Sequence, residues 1–196
     1  MISVKEYNDN FLRELSRLLE NSETKQKFEF YNDRYYKRRI ERENIFSYTE
    51  FLLLDFILAH LPGKKILEIG CGVGQLSIFL KLRGIDIEAC EVHEPRFYLA
   101  SKIKTFFRSD VTIYNKKFQD LDLDKYDVLC GGDIISDYCN FKEDKVILDN
   151  FTKENKFILI DGDQYGLENK TIKDEIKSEY FNKQRLKAIK HFYYFK

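Results

Sequence analysis

The first part of the chain is patterned as helix. Phe11, Leu12, Leu15, Leu18 and Leu19 recur at three- and four-residue spacing, which puts them on one apolar face. A second helical stretch covers residues 47–60 and carries Tyr48, Phe51, Leu52, Asp55, Phe56 and Leu58. Between the two, residues 25–43 are rich in Tyr and Arg, with Glu29, Asp33, Glu41 and Glu43 diluting the charge as on a salt-bridged helix face. Leu61-Pro62-Gly63 breaks the pattern, and the period then shortens. Residues 65–69 form a β-rich run that stops at glycine, and residues 75–82 return to helical spacing. Residues 85–90 read as the next strand and 95–107 as the next helix, with Pro95 early as a helix start allows. Residues 111–114, 126–130 and 157–160 complete five strands, and 186–195 reads as a last strand at an antiparallel edge.

Strands alternating with helices imply an α/β fold with a parallel sheet covered on both faces. The expected architecture is a doubly wound, mostly parallel sheet of six or seven strands preceded by a helical lid. The boundary falls so that residues 1–61 form the lid and residues 62–196 the core.

Composition narrows the function. Of 196 residues, 43% are hydrophobic and 34% charged, which supports a packed core and argues against disorder. Lys+Arg and Asp+Glu both number 33, so bulk electrostatic binding to nucleic acid or anionic lipid is not expected. No apolar run approaches the roughly 20 residues that span a bilayer, and no membrane partner is expected. The first residues include Glu6, Asn8, Asp9 and Asn10 where a secretory leader would be apolar, so the expected location is cytoplasmic. Cys71, Cys90, Cys130 and Cys139 show neither CxxC spacing nor a histidine at metal-finger distance, and are expected as reduced thiols without a metal.

The most specific feature is Glu68-Ile69-Gly70-Cys71-Gly72-Val73-Gly74, between the first core strand and its helix. Glycines there admit positive φ and let backbone approach a ligand with no Cβ between them. The spacing is G-x-G-x-G. A dinucleotide fingerprint would place its third glycine at position 75, which is Gln75. Glu91 follows about 20 residues later at the end of the second strand, where a carboxylate can accept both ribose hydroxyl protons.

On these residues the sequence resembles the class I S-adenosylmethionine-dependent methyltransferases. Ile66-Leu67-Glu68-Ile69-Gly70-Cys71-Gly72-Val73-Gly74 matches that family's first motif, Glu91 its second acidic position, and Tyr126-Asp127 the start of its fourth strand. The resemblance covers residues 64–160 and implies S-adenosylmethionine as cofactor, S-adenosylhomocysteine as product and no metal. It implies cofactor contacts from Glu68, Gly70, Cys71, Gly72, Gly74, Glu91, Val92, Phe118 and Gly131. The family's aspartate beside adenine has no counterpart in Asn115-Lys116-Lys117-Phe118-Gln119, which leaves Phe118 and its N–H for that ring.

Methyl transfer needs alignment of the acceptor and, for a hydroxyl, removal of a proton. Asp133 and Asp137 follow the fourth strand and are the candidate bases, although Asp137 also suits a helix cap. Tyr31, Tyr35, Tyr36 and Arg39 are candidate lid residues around the acceptor. The expected function is methyl transfer to oxygen or nitrogen of a small molecule, such as a sugar or another biosynthetic metabolite, by a monomer or homodimer that does not bind nucleic acid. The alternatives are an RNA or protein methyltransferase using the Arg- and Tyr-rich segment, and a catalytically silent cofactor-binding module.

Overall fold

The computed structural model describes residues 2–27, 34–131, 157–161 and 192–195. Four helices come first: α1 (Val4–Glu20), α2 (Ser22–Lys27), α3 (Arg34–Glu41) and α4 (Tyr48–His60). The core follows as β1 (Ile66–Ile69), α5 (Gln75–Leu82), β2 (Ile87–Cys90), α6 (Glu94–Phe106), β3 (Thr112–Tyr114), β4 (Val128–Gly131), β5 (Phe157–Asp161) and β6 (Phe192–Phe195).

The sheet order among the described residues is β3-β2-β1-β4-β5-β6. Five strands run parallel, and β6 lies antiparallel to β5 with Leu159 opposite Tyr194. All of Ile66, Leu67, Glu68 and Ile69 are buried, as a central strand covered on both faces requires. Strand order reverses between β1 and β4, so a crevice is expected beyond their C-terminal ends. The glycine turn and Gly131 both stand at those ends.

The link from β3 to β4 is made of two short 3-10 turns, Phe118–Asp120 and Leu123–Lys125, rather than an α-helix. A polar knot at its ends closes on Glu88, which accepts from Tyr126 Oη at 2.5 Å, Tyr114 Oη at 3.0 Å and Lys125 Nζ at 3.0 Å. Burial pushes the Glu88 carboxyl up, but these donors outweigh it and hold it at about 2. Asp127 of the Tyr-Asp pair accepts the Lys65 N–H at 2.9 Å, tying the starts of β1 and β4 together. Asp127 therefore works at the N-terminal ends of the central strands, opposite the glycine turn.

The N-terminal helices share the hydrophobic core of the sheet domain. Tyr7, Phe11 and Leu15 of α1, and Leu53, Leu54 and Ile57 of α4, are buried with Leu76 and Phe79 of α5. The Tyr7 ring packs tilted against Phe79 and Phe107, with centroids 4.9 Å and 4.7 Å apart. Its hydroxyl donates to the Gln75 carbonyl at 2.8 Å, which anchors α1 to the first turn of α5. Helix α4 starts on a capping box: Ser47 Oγ accepts from the Glu50 N–H at 3.1 Å, and Glu50 accepts from the Ser47 N–H.

Candidate functional site

The glycine turn is built of left-handed backbone. Gly70, Gly72 and Gly74 have φ of 64°, 59° and 80°, a region that side chains with a Cβ rarely occupy. At Gly72 space is also short, since an added Cβ would lie 2.5 Å from Tyr36 Oη and 3.9 Å from Gln75 Oε1. Cys71 donates its N–H to the Cys90 carbonyl at 3.0 Å, which carries the turn over from β1 to β2.

Glu91 is buried at the end of β2 and grips the same turn. Its Oε2 accepts the Gly72 N–H at 2.9 Å and its Oε1 accepts the His93 N–H at 2.8 Å. Each oxygen keeps a second lone pair for a hydroxyl donor. Val92, beside it, is 46% exposed and offers an apolar surface at the same rim. Asn115 Nδ2 donates to the Glu91 carbonyl at 2.8 Å, joining the β3 end to the site. Phe118 is buried at the start of the first 3-10 turn, and Gly131 is buried at the end of β4.

On the other flank lies a denser polar cluster. Glu68, 4% exposed, receives bonds from the Ser77 hydroxyl and N–H, yet its Oε2 has no partner among the described residues. Burial first, and the Glu50 carboxylate second, raise Glu68 to about 8. Gln75 is likewise 4% exposed. Its Nε2 donates to Glu50 Oε1 at 2.5 Å, while its Oε1 has no partner among the described residues. Arg39 Nη1 stands 3.0 Å from Glu50 Oε2 and donates to the Ile45 carbonyl at 2.5 Å.

The structure thus brings Tyr36 and Arg39 of α3 against the turn. Tyr36 is buried with its hydroxyl over Gly72, whereas Arg39 is engaged by Glu50. Tyr35 falls on α3. Tyr31, Asp133, Asp137 and Cys139 lie outside the described residues. Sequence reading missed Glu50 and Gln75 as site residues. Ser47-x-x-Glu50 carries a capping-box signal, but nothing local announces that its carboxylate also reaches Gln75.

Cys71, Cys90 and Cys130 are buried free thiols, and burial pushes all three up, Cys90 to about 12. They stay protonated at neutral pH. Among the described residues no group of three or more His, Cys, Asp or Glu could hold a metal ion, and no described helix is long and apolar enough to cross a membrane.

A mostly parallel sheet whose strand order reverses between β1 and β4, with a glycine turn and an acidic second-strand end at that point, defines a doubly wound α/β protein. Comparison with solved structures specifies the class. Magnesium protoporphyrin IX methyltransferase (ChlM) from Synechocystis PCC 6803 with bound S-adenosylmethionine superimposes with a TM-score of 0.54 at 17% identity, over 80% of this chain and 84% of that one. Its S-adenosylhomocysteine-bound form gives 0.53 at 17% identity, over 93% and 83%. The fold is that of the class I, Rossmann-like, S-adenosylmethionine-dependent methyltransferases.

No family model matches the chain. Two curated proteins, the 23S rRNA (uracil(747)-C(5))-methyltransferases of Pyrococcus horikoshii and Pyrococcus abyssi, are each 29% identical over 83 residues. The match covers 42% of this chain and 20% of each of theirs, so the chain spans about a fifth of the length of these relatives. They correct one expectation. Zero net charge led to the expectation that nucleic acid is not a partner, but the sequence relatives are themselves RNA-modifying enzymes. Net charge averages over a whole surface, and local contacts need no overall excess.

Proposed function

We propose that this chain binds S-adenosylmethionine across the glycine turn and transfers its methyl group to RNA. The single observation that carries the cofactor reading is the junction of Glu91 with Gly72. A buried carboxylate held by two backbone N–H groups, beside a turn of left-handed glycines, suits a ribose diol and a closely approaching ligand. The unpartnered oxygens of Glu68 and Gln75 on the opposite flank suit the ammonium-bearing tail. When bound, the sulfonium supplies an activated methyl group for in-line displacement.

The acceptor part of the reading is supported by the two rRNA methyltransferases at 29% identity. In this reading residues 1–61 cap the cofactor while residues 62–196 hold it, and Tyr31, Tyr35, Tyr36 and Arg39 belong to the cap. Gly70, Cys71, Gly72 and Gly74 supply the turn, and Val92, Phe118 and Gly131 border the nucleoside. Asp133 and Asp137, which follow β4 in the sequence, are the proposed bases for the proton that the acceptor loses.

The test incubates the protein with S-adenosylmethionine labelled in its methyl group, offering total RNA in one arm and a metabolite extract in the other. Label in RNA that ribonuclease releases is the expected result. Label only in small metabolites moves the acceptor to that class. Failure to bind S-adenosylhomocysteine in calorimetry sinks the cofactor reading itself.

A further inference from the structure

We infer that Gln75, locked in orientation by Glu50 and Arg39, is a specificity-determining residue that selects a cationic ammonium group at the start of α5. The inference rests on the cofactor reading above and deepens it. Gln75 stands where a dinucleotide-binding turn would have glycine, so its side chain occupies the approach to the helix N-terminus.

The amide can face only one way. Nε2 donates to Glu50 Oε1 at 2.5 Å, and a flipped amide would set one acceptor against another. Glu50 is itself fixed by the Ser47 N–H and by Arg39 Nη1 at 3.0 Å. Gln75 Oε1 is thereby directed away from Glu50. It is buried 3.9 Å from the Cβ position that Gly72 lacks, where the Tyr36 hydroxyl also reaches, and it has no donor among the described residues.

Three features make the place selective for a cation. Glu68 Oε2, buried and without a partner, adds a second acceptor. Glu50 adds a negative charge near the helix start, where a bare N-terminus would favour an anion. Arg39, the neighbouring cation, is engaged by Glu50 and the Ile45 carbonyl. A site made of acceptors and carboxylates recognises an ammonium donor and rejects a pyrophosphate. Arg39 and Glu50 act through Gln75 and are positioning residues.

The experiment measures binding of S-adenosylhomocysteine and of its desamino analogue, which keeps the carboxylate and the nucleoside, to the full chain by calorimetry. In Gln75→Met, of similar shape but without the acceptor, affinity for S-adenosylhomocysteine should fall about tenfold to a hundredfold, while affinity for the desamino analogue stays within about twofold. Glu50→Gln, which frees the Gln75 amide to flip, should narrow the same preference and carries the comparison if Gln75→Met does not fold. Equal weakening of both ligands, or no change in either, overturns the inference. Wild-type protein that binds neither ligand overturns the cofactor reading and the inference with it.

Discussion

The two carboxylates that flank the glycine turn live in opposite conditions. Glu91 is buried and met by donors on both oxygens, the N–H groups of Gly72 and His93. Glu68 is met by Ser77 on one side and, among the described residues, by nothing on Oε2, and burial, with Glu50 as an electrostatic neighbour, raises it to about 8. One carboxylate is a finished piece of structure that can still accept a diol. The other bears an unmet electrostatic demand. The contrast teaches that a short turn can carry two different recognition tasks, because each end is furnished by a different part of the chain. Backbone furnishes the Glu91 end, and side chains from α3, α4 and α5 furnish the Glu68 end.

The strongest way to break the comparison is to fill the space between the two ends. Gly72→Val puts a branched side chain at φ of 59° and a Cβ 2.5 Å from Tyr36 Oη. We expect S-adenosylhomocysteine binding to weaken by more than about a hundredfold, with a stability loss of about 1–3 kcal/mol from strained backbone. Calorimetry and thermal melting read the two effects separately, and normal affinity would mean that the turn does not touch the cofactor.

Removing the finished end comes next. Glu91→Ala should cost about 2–3 kcal/mol of cofactor binding, since bonds to a charged group are worth about 1.5–3 kcal/mol and rarely add in full. It should also lower the melting temperature, because two buried N–H groups lose their acceptor. An unchanged dissociation constant would show that another residue holds the ribose.

The unfinished end has a pH signature. Folded Glu68 titrates at about 8 against an ordinary 4.5, so the folded state holds a proton that the unfolded state releases between those values. Its contribution is therefore full below pH 4.5 and is lost as pH rises towards 8. Glu50, Glu91 and Tyr7 face the same cluster and set the background against which this is read. Glu68→Gln removes the titration. Its melting temperature relative to wild type should climb by roughly 10 °C between pH 5 and pH 9, since a rise from 4.5 to about 8 is worth about 4 kcal/mol over that range. A flat difference across that range would place Glu68 in a donor-rich setting after all.

The smallest effect belongs to Asn115→Ala, which takes away the bond from Nδ2 to the Glu91 carbonyl at 2.8 Å. A loss of about 0.5–1 kcal/mol in denaturant melts is expected, with cofactor affinity changed less than in Glu91→Ala. A larger loss of affinity than in Glu91→Ala would shift the weight of the site from the carboxylate to the β3 loop.

Much of this was legible in the sequence because it is periodic or local. The apolar face from Phe11 to Leu19 gave α1, the glycine that ends the 65–69 run gave the β1–α5 turn, and Pro95 marked the start of α6. The fold class followed from the alternation of strands and helices, and Glu91 followed from its distance to the turn. What the sequence left hidden has long-range partners. Asp127 was read as part of a family motif, and its partner, the Lys65 N–H 62 positions away at the N-terminal end of β1, was not foreseen. Glu50 was read only as part of a helix, whereas it meets Gln75 across 25 positions. Arg39 was read as a candidate lid residue, and its pairing with Glu50, eleven positions on, was not foreseen.

The sequence by itself determined the order of strands and helices, the glycine turn and the acidic end of β2, because hydrophobic period and steric freedom are properties of neighbouring residues. The tertiary structure alone decided which buried polar atoms are satisfied. That depends on elements far apart in the chain arriving at one point, where burial makes each donor or acceptor count. Glu68 and Glu91 are both acidic residues at strand ends in the sequence. Only the packing of α3, α4 and α5 makes one of them complete and leaves the other with an oxygen to fill.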